Sequence, residues 1–60
     1  MNILNKKNIE VYEKTSKRRV SSFICDEVHV TDLQISFLVG GKITAFYSPK
    51  ECYYTEKEIV

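Results

Sequence analysis

The stretch LQISFLVGGKITAFY, residues 33–47, predicts a β-hairpin around which the rest of the chain is arranged. Two runs of β-branched, aromatic and aliphatic residues flank Gly40 and Gly41, and glycine readily adopts the positive φ angles of a tight hairpin turn. The first run alternates clearly, with Leu33, Ile35, Phe37 and Val39 on one side. We therefore expect a central Gly-Gly hairpin over 33–47 in a mainly β protein.

The second run of the hairpin leaves two registers open, because either of its alternating sets can face the core. With a two-residue turn, the far face carries Leu38, Ile43 and Tyr47. With a turn that is one residue longer, the far face carries Leu38 and Phe46. Apolar residues remain on the far face in both registers, so we expect another segment, a second subunit or a partner to cover it.

Segments on both sides of the hairpin also predict strands. Residues 8–14 alternate in the strand manner, with Ile9 and Val11 sharing one side. Residues 18–25 are rich in β-branched and aromatic groups, and 28–30 resume after an acidic break. The first seven residues predict a short edge strand, with a frayed arm as the alternative. The expected fold is a small antiparallel sheet or open barrel of four to six strands.

The C-terminal segment 49–60 predicts a short helix, with a strand as the alternative. Ser48 suits a helix N-cap, Pro49 suits the first helical position, and Glu51 lies three residues after the cap, as in a capping box. The neighbouring residues Tyr53 and Tyr54 favour a strand instead.

Length and composition predict one small domain over residues 1–60. A chain of this length buries only about 60% of the surface that its unfolded form exposes. Small cores are commonly supplemented by disulfides, metals or oligomerisation. The first ten residues lack the apolar run of a secretory signal, so we expect a cytoplasmic chain without a membrane span, with its two cysteines reduced. The far hairpin face therefore predicts a homodimer or higher oligomer.

Positive charge is concentrated in the first third of a chain whose net charge is only +1. Lys17, Arg18 and Arg19 follow Tyr12 closely, and such basic, partly aromatic surfaces bind phosphates and stack bases. This set supports one of two functional interpretations, a small DNA- or RNA-binding β protein.

The other interpretation is a protein-binding module, which the sequence favours. No pattern of residues indicates a catalytic centre, a metal site or a bound cofactor, so we expect a non-enzymatic protein. Tyrosine is favoured at protein interfaces because it offers a large contact area at little cost in entropy. The predicted contact residues are Tyr53, Tyr54, Leu38 and Tyr47. The expected function is a stoichiometric inhibitor or adaptor that binds a larger protein, and the size and composition are typical of phage or mobile-element proteins.

Both ends of the chain resemble the opening strand and the closing segment of the carbon storage regulator family, small dimeric β proteins that bind RNA. The residues concerned are Met1, Ile3, Leu4, Lys6 and Lys7 at the start and SPKECYYTEKEI at the end. The middle of the chain does not match. Glu56 stands at the place of an arginine that contacts RNA in that family, so no role is transferred from it.

Overall fold

Six strands make up the computed structural model, which describes residues 6–58. The strands are β1 (Lys7–Glu13), β2 (Arg19–Cys25), β3 (Glu27–Val30), β4 (Ile35–Val39), β5 (Lys42–Tyr47) and β6 (Cys52–Glu58). The prediction of a mainly β chain is confirmed, and the described residues contain no helix long and apolar enough to cross a membrane. The edge strand predicted for the first seven residues lies mostly outside the described range.

The strands form two three-stranded antiparallel sheets, which do not close into a barrel within residues 6–58. The first sheet has the order β2-β1-β6 and the second has the order β3-β4-β5. Asp26 alone separates β2 from β3, so the chain passes from one sheet to the other at a single bend. The backbone N–H of Asp26 donates to the carbonyl of Leu38 at 2.8 Å, which joins this bend to β4.

The core lies between the two sheets and follows the alternation of the strands. Its fully or nearly fully buried members are Ile9, Val11, Cys25, Ile35 and Phe37. Phe37 is completely buried, and the rings of Phe23, Tyr47 and Tyr54 meet it edge to face at centroid distances of 5.0, 6.2 and 5.4 Å. Such T-shaped contacts are a preferred packing of aromatic rings. The prediction that Ile9 and Val11 share one side of a strand is confirmed, and that side faces the core.

β4 and β5 pair with Val39 opposite Lys42, and Gly40 and Gly41 connect them with φ angles of +60° and +80°. A bulge at Thr44 then shifts the register, so that Leu38 opposes Ile43 but Phe37 opposes Ala45. The Thr44 hydroxyl donates to the Phe37 carbonyl at 3.2 Å in this irregular stretch. Neither uniform register expected from the sequence is therefore correct, since the pairing changes from one to the other at the bulge.

The predicted helix over 49–60 is wrong for the described residues. Ser48 does begin a turn: its carbonyl accepts from the N–H groups of Glu51 and Cys52 at 3.1 and 2.9 Å. The turn stops there because β6 instead pairs antiparallel along the whole of β1. Aromatic and β-branched residues at 53–55 fit such a strand, and pairing over seven residues satisfies the backbone groups that face β1.

Candidate binding surfaces

An apolar patch on the outer face of the second sheet consists of Leu38, Ile43 and Phe46. Leu38 lies on the central strand beside Ile43, while Ile43 and Phe46 are 54% and 64% exposed. The bulge at Thr44 creates this grouping. Without it, Ile43 and Phe46 would point to opposite sides of β5, because they are three residues apart. The bulge thus turns Ala45 and Tyr47 inward and leaves two large apolar groups facing solvent.

Polar residues border the apolar patch. Glu27 opposes Leu38 on β3, and its carboxylate lies 3.5 Å from the His29 imidazole. Ser36 opposes both His29 and Phe46, and its hydroxyl accepts from the Gln34 side-chain amide at 2.8 Å. An apolar centre with a polar rim is the usual composition of a protein interface.

The outer face of the first sheet carries a different surface, which we call the tyrosine site: Tyr12, Tyr53, Lys17, Arg19 and Glu10. Tyr12 and Tyr53 are opposite each other on β1 and β6, and their rings stack at 5.4 Å with an interplanar angle of 14°. The Lys17 ammonium lies 5.7 Å from the centre of the Tyr53 ring.

Two irregular backbone features place the positive charges of the tyrosine site. Lys17 is the one non-glycine residue with positive φ in the described chain, at +64°, within the connection between β1 and β2. The pairing of β1 with β2 shifts at Val20, so that Tyr12 opposes Arg19. Left-handed conformations are unfavourable for lysine, and bulges redirect side chains, so both features point to a constraint at this surface.

Glu10 connects the cation and the phenol of the tyrosine site. One carboxylate oxygen accepts from the Arg19 guanidinium at 3.1 Å, and the other accepts from the Tyr12 hydroxyl at 3.2 Å. Desolvation and the hydrogen bond to Glu10 raise the pKa of Tyr12 above its ordinary value, which further favours the protonated phenol as the donor.

The four predicted protein-contact residues are spread over three places. Tyr47 and Tyr54 pack against Phe37 in the core, and burial raises the pKa of Tyr54. Tyr53 belongs to the tyrosine site, and Leu38 is the 9% exposed centre of the apolar patch. Adjacent residues of a strand face opposite sides, so the strand assignment of β6 already separates Tyr53 from Tyr54.

The residues predicted to bind nucleic acid lie closer together than the predicted protein-contact residues. Tyr12, Lys17 and Arg19 all belong to the tyrosine site, whereas Arg18 is exposed in the same loop and its carbonyl accepts from the N–H of Glu13. Sequence reasoning did not include Tyr53 or Glu10 in this set. A strand assignment for 52–58 would not by itself have indicated Tyr53, because its place beside Tyr12 depends on the pairing of β6 with β1.

Cys25 and Cys52 are both free thiols. They oppose Lys7 and Glu13, which are six residues apart on β1, so roughly 20 Å of strand separates them and no disulfide can form. Among residues 6–58, no three His, Cys, Asp or Glu side chains are grouped as a metal site would require.

Comparison of the chain with models of protein families, with curated proteins and with solved structures found no match. The two surfaces are therefore interpreted from their own residues and geometry.

Proposed function

We propose that the protein is a non-enzymatic protein-binding module, which uses the apolar patch of the second sheet to bind a larger protein stoichiometrically, as an inhibitor or adaptor. The observation that carries this proposal is the bulge at Thr44, which gathers Leu38, Ile43 and Phe46 on one outer face. Exposing large apolar groups is costly unless a partner covers them, and a grouped set on a small domain is typical of an interface.

The arrangement of the apolar patch fits a partner that inserts an apolar side chain between Ile43 and Phe46. The neighbouring carboxylate of Glu27 favours a basic group on the partner at the same edge. A large aromatic side chain that becomes buried in an interface can contribute about 2 kcal/mol, or about 30-fold in Kd. Phe46 is the group for which we expect such an effect.

The test compares two isoleucines with identical exposure. Ile43 and Ile24 are both 54% exposed strand residues, but Ile24 lies on the first sheet, opposite Asn8. Three proteins are immobilised and used to capture proteins from the source cells. They are wild type, the double variant Ile43→Thr with Phe46→Thr, and the control variant Ile24→Thr. A captured protein is then titrated in purified form against all three.

We expect saturation at a fixed molar ratio for wild type and for Ile24→Thr, with at least 10-fold weaker binding by the double variant. Equal binding by the double variant, which circular dichroism must show to be folded, would overturn the proposed surface. Light scattering adds a second outcome: a wild-type dimer that the double variant converts to a monomer would assign the patch to self-association instead.

A further inference from the structure

We propose that the tyrosine site of the first sheet binds single-stranded nucleic acid, independently of the apolar patch. The rings of Tyr12 and Tyr53 stack on each other on the outer face of the first sheet, away from the core, and form an aromatic platform in which each ring offers a base the π face turned away from its neighbour. Bases stack on such rings with little dependence on sequence, because every base has a π face. A Watson–Crick duplex hides those faces between its own base pairs, so the platform selects an unpaired strand.

Lys17 supplies a cation at the edge of the platform. Its ammonium is already above the Tyr53 ring, although holding the residue there requires a left-handed backbone. The loop fixes this conformation with hydrogen bonds from the Lys17 N–H to the Glu13 carbonyl and from the Glu13 N–H to the Arg18 carbonyl, both 2.9 Å. A base that stacks on Tyr53 would displace the ammonium from the ring, and the flexible, four-carbon side chain of Lys17 could then reach the adjoining phosphate.

Arg19 supplies a second cation beside Tyr12. In the free protein its guanidinium donates to Glu10, but more than half of the Arg19 side chain is exposed. Exposed ion pairs contribute little net stability. A phosphate can therefore replace the Glu10 carboxylate as the acceptor, and the planar guanidinium can bind it in a bidentate manner.

The charge around the platform is positive although the whole chain is nearly neutral. The loop between β1 and β2 contributes Lys14, Lys17 and Arg18. The Lys14 N–H donates to the Glu51 carbonyl, which brings the turn with Lys50 and Glu51 to the same end of the sheet, where these two opposite charges offset each other. The carboxylate of Glu13, the last residue of β1, accepts from the Ser16 hydroxyl at 2.6 Å. A local basic cluster of this kind attracts a phosphate backbone without requiring a large net charge.

The experiment measures fluorescence anisotropy with three labelled decamers, namely oligo(dT), oligo(U) and a mixed-sequence duplex. Binding is measured at several salt concentrations from about 50 to 200 mM, because phosphate contacts weaken strongly over this range. The variants are Tyr53→Ala, Lys17→Gln with Arg19→Gln, and Lys42→Gln as a matched charge control on the second sheet. We expect both single strands to bind alike and more tightly than the duplex. Lys42→Gln should bind as wild type does.

Tyr53→Ala should weaken single-strand binding at least 10-fold at every salt concentration. The double cation variant should reduce the slope of log K against log salt by about 1.4, since each phosphate that the protein no longer neutralises lowers the slope by about 0.7. If Tyr53→Ala is unfolded, the change of salt slope in the double variant is by itself the test of the proposal. Absence of wild-type binding at the lowest salt, equal binding of duplex and single strand, or an unchanged slope in the double variant would each overturn the proposal.

Discussion

The Asp26 carboxylate accepts a hydrogen bond at 2.7 Å from the backbone N–H of Gly40, across the bend that joins the two sheets. Its other oxygen accepts from the ammonium of Lys6, the residue that precedes β1. The N–H of Asp26 itself donates to the Leu38 carbonyl. One side chain thus connects the first strand, the bend between the sheets and the glycine turn between β4 and β5.

The role of Asp26 predicts a loss of stability in acid. The hydrogen bonds from Lys6 and from Gly40 hold the pKa of Asp26 below its ordinary value of 3.8. A carboxylate with a depressed folded pKa stabilises the protein above the unfolded pKa, and this contribution disappears as the pH falls through the folded value. We expect the unfolding midpoint of wild type to fall with decreasing pH below about 4.

Asp26→Asn should lower the midpoint at neutral pH and make the acid side of the profile flatter. The matched control is Asp32→Asn, which removes an exposed carboxylate from the loop before β4. Thermal unfolding followed by circular dichroism between about pH 2 and 7 spans the ordinary range of an aspartate pKa. An acid limb that is as steep in Asp26→Asn as in wild type would contradict this role.

A single buried ring should account for much of the stability that the core provides. Phe37 is fully buried against three other aromatic rings, so Phe37→Ala leaves a large cavity. Substitutions of this type cost about 3–5 kcal/mol, which is similar to the total stability of about 3–5 kcal/mol that a core of this size supplies. We expect Phe37→Ala to be largely unfolded at 25 °C.

Phe46→Ala is the control for Phe37→Ala, since Phe46 is a phenylalanine of the same sheet that is mostly exposed. Its free energy of unfolding should stay within about 0.5 kcal/mol of wild type. Urea unfolding of both variants provides the comparison. Similar losses in the two would show that the outer face of the second sheet is covered within the protein itself.

The sequence was sufficient to predict strands where alternation is strong. In β1, alternation with Glu10 and Tyr12 predicted that Ile9 and Val11 share one side of a strand, and both lie on its buried side. The break at Asp26 was also visible, because two acidic residues interrupt a run of strand-forming residues. These signals are local, and a sheet with one buried face preserves them.

Other features depend on contacts between distant residues. The cap at Ser48 is consistent with a helix, and only the pairing of β6 with β1 stops the turn and makes a strand of 52–58. The bulge at Thr44 likewise reflects the fit of Ala45 and Tyr47 against the core. The bulge determines which residues are exposed, and no local pattern in residues 33–47 predicts it.

The turn between β4 and β5 should tolerate asparagine but not valine. Gly40 has a φ of +60°, and a Cβ added there would meet no atom within 4 Å, so backbone conformation alone determines the cost. Gly40→Val should lose about 1–2 kcal/mol, the penalty of a left-handed conformation for an L-residue. Gly40→Asn should be close to wild type, since Asn-Gly is favoured in two-residue turns of this kind.

Chemical denaturation of the two Gly40 variants separates these outcomes, because both place a side chain of moderate size in the same open space. A valine variant as stable as the asparagine variant would show that the turn does not require positive φ. Thermal midpoints alone would be less informative, since the two side chains also differ in polarity.

Lys17 should show that backbone strain at the tyrosine site serves binding rather than stability. Lys17→Gly stabilises the protein by about 1 kcal/mol because glycine has no penalty in the left-handed conformation. It also destabilises the protein, because glycine raises the entropy of the unfolded state and an exposed cation–π interaction of about 0.5 kcal/mol is lost. These effects nearly cancel, so the free energy of unfolding should stay within about 0.5 kcal/mol of wild type. In Lys17→Val the strain remains and increases, because a β-branched residue tolerates a φ of +64° poorly.

We therefore expect Lys17→Val to be destabilised by about 1 kcal/mol or more relative to Lys17→Gly. Both variants should bind single-stranded oligonucleotides more weakly than wild type, with a salt slope smaller by about 0.7, because each lacks the same ammonium. Urea unfolding and anisotropy on the same samples give the two readouts. Equal stability of the glycine and valine variants would contradict the left-handed turn, whereas wild-type affinity in the stable glycine variant would remove Lys17 from the binding site.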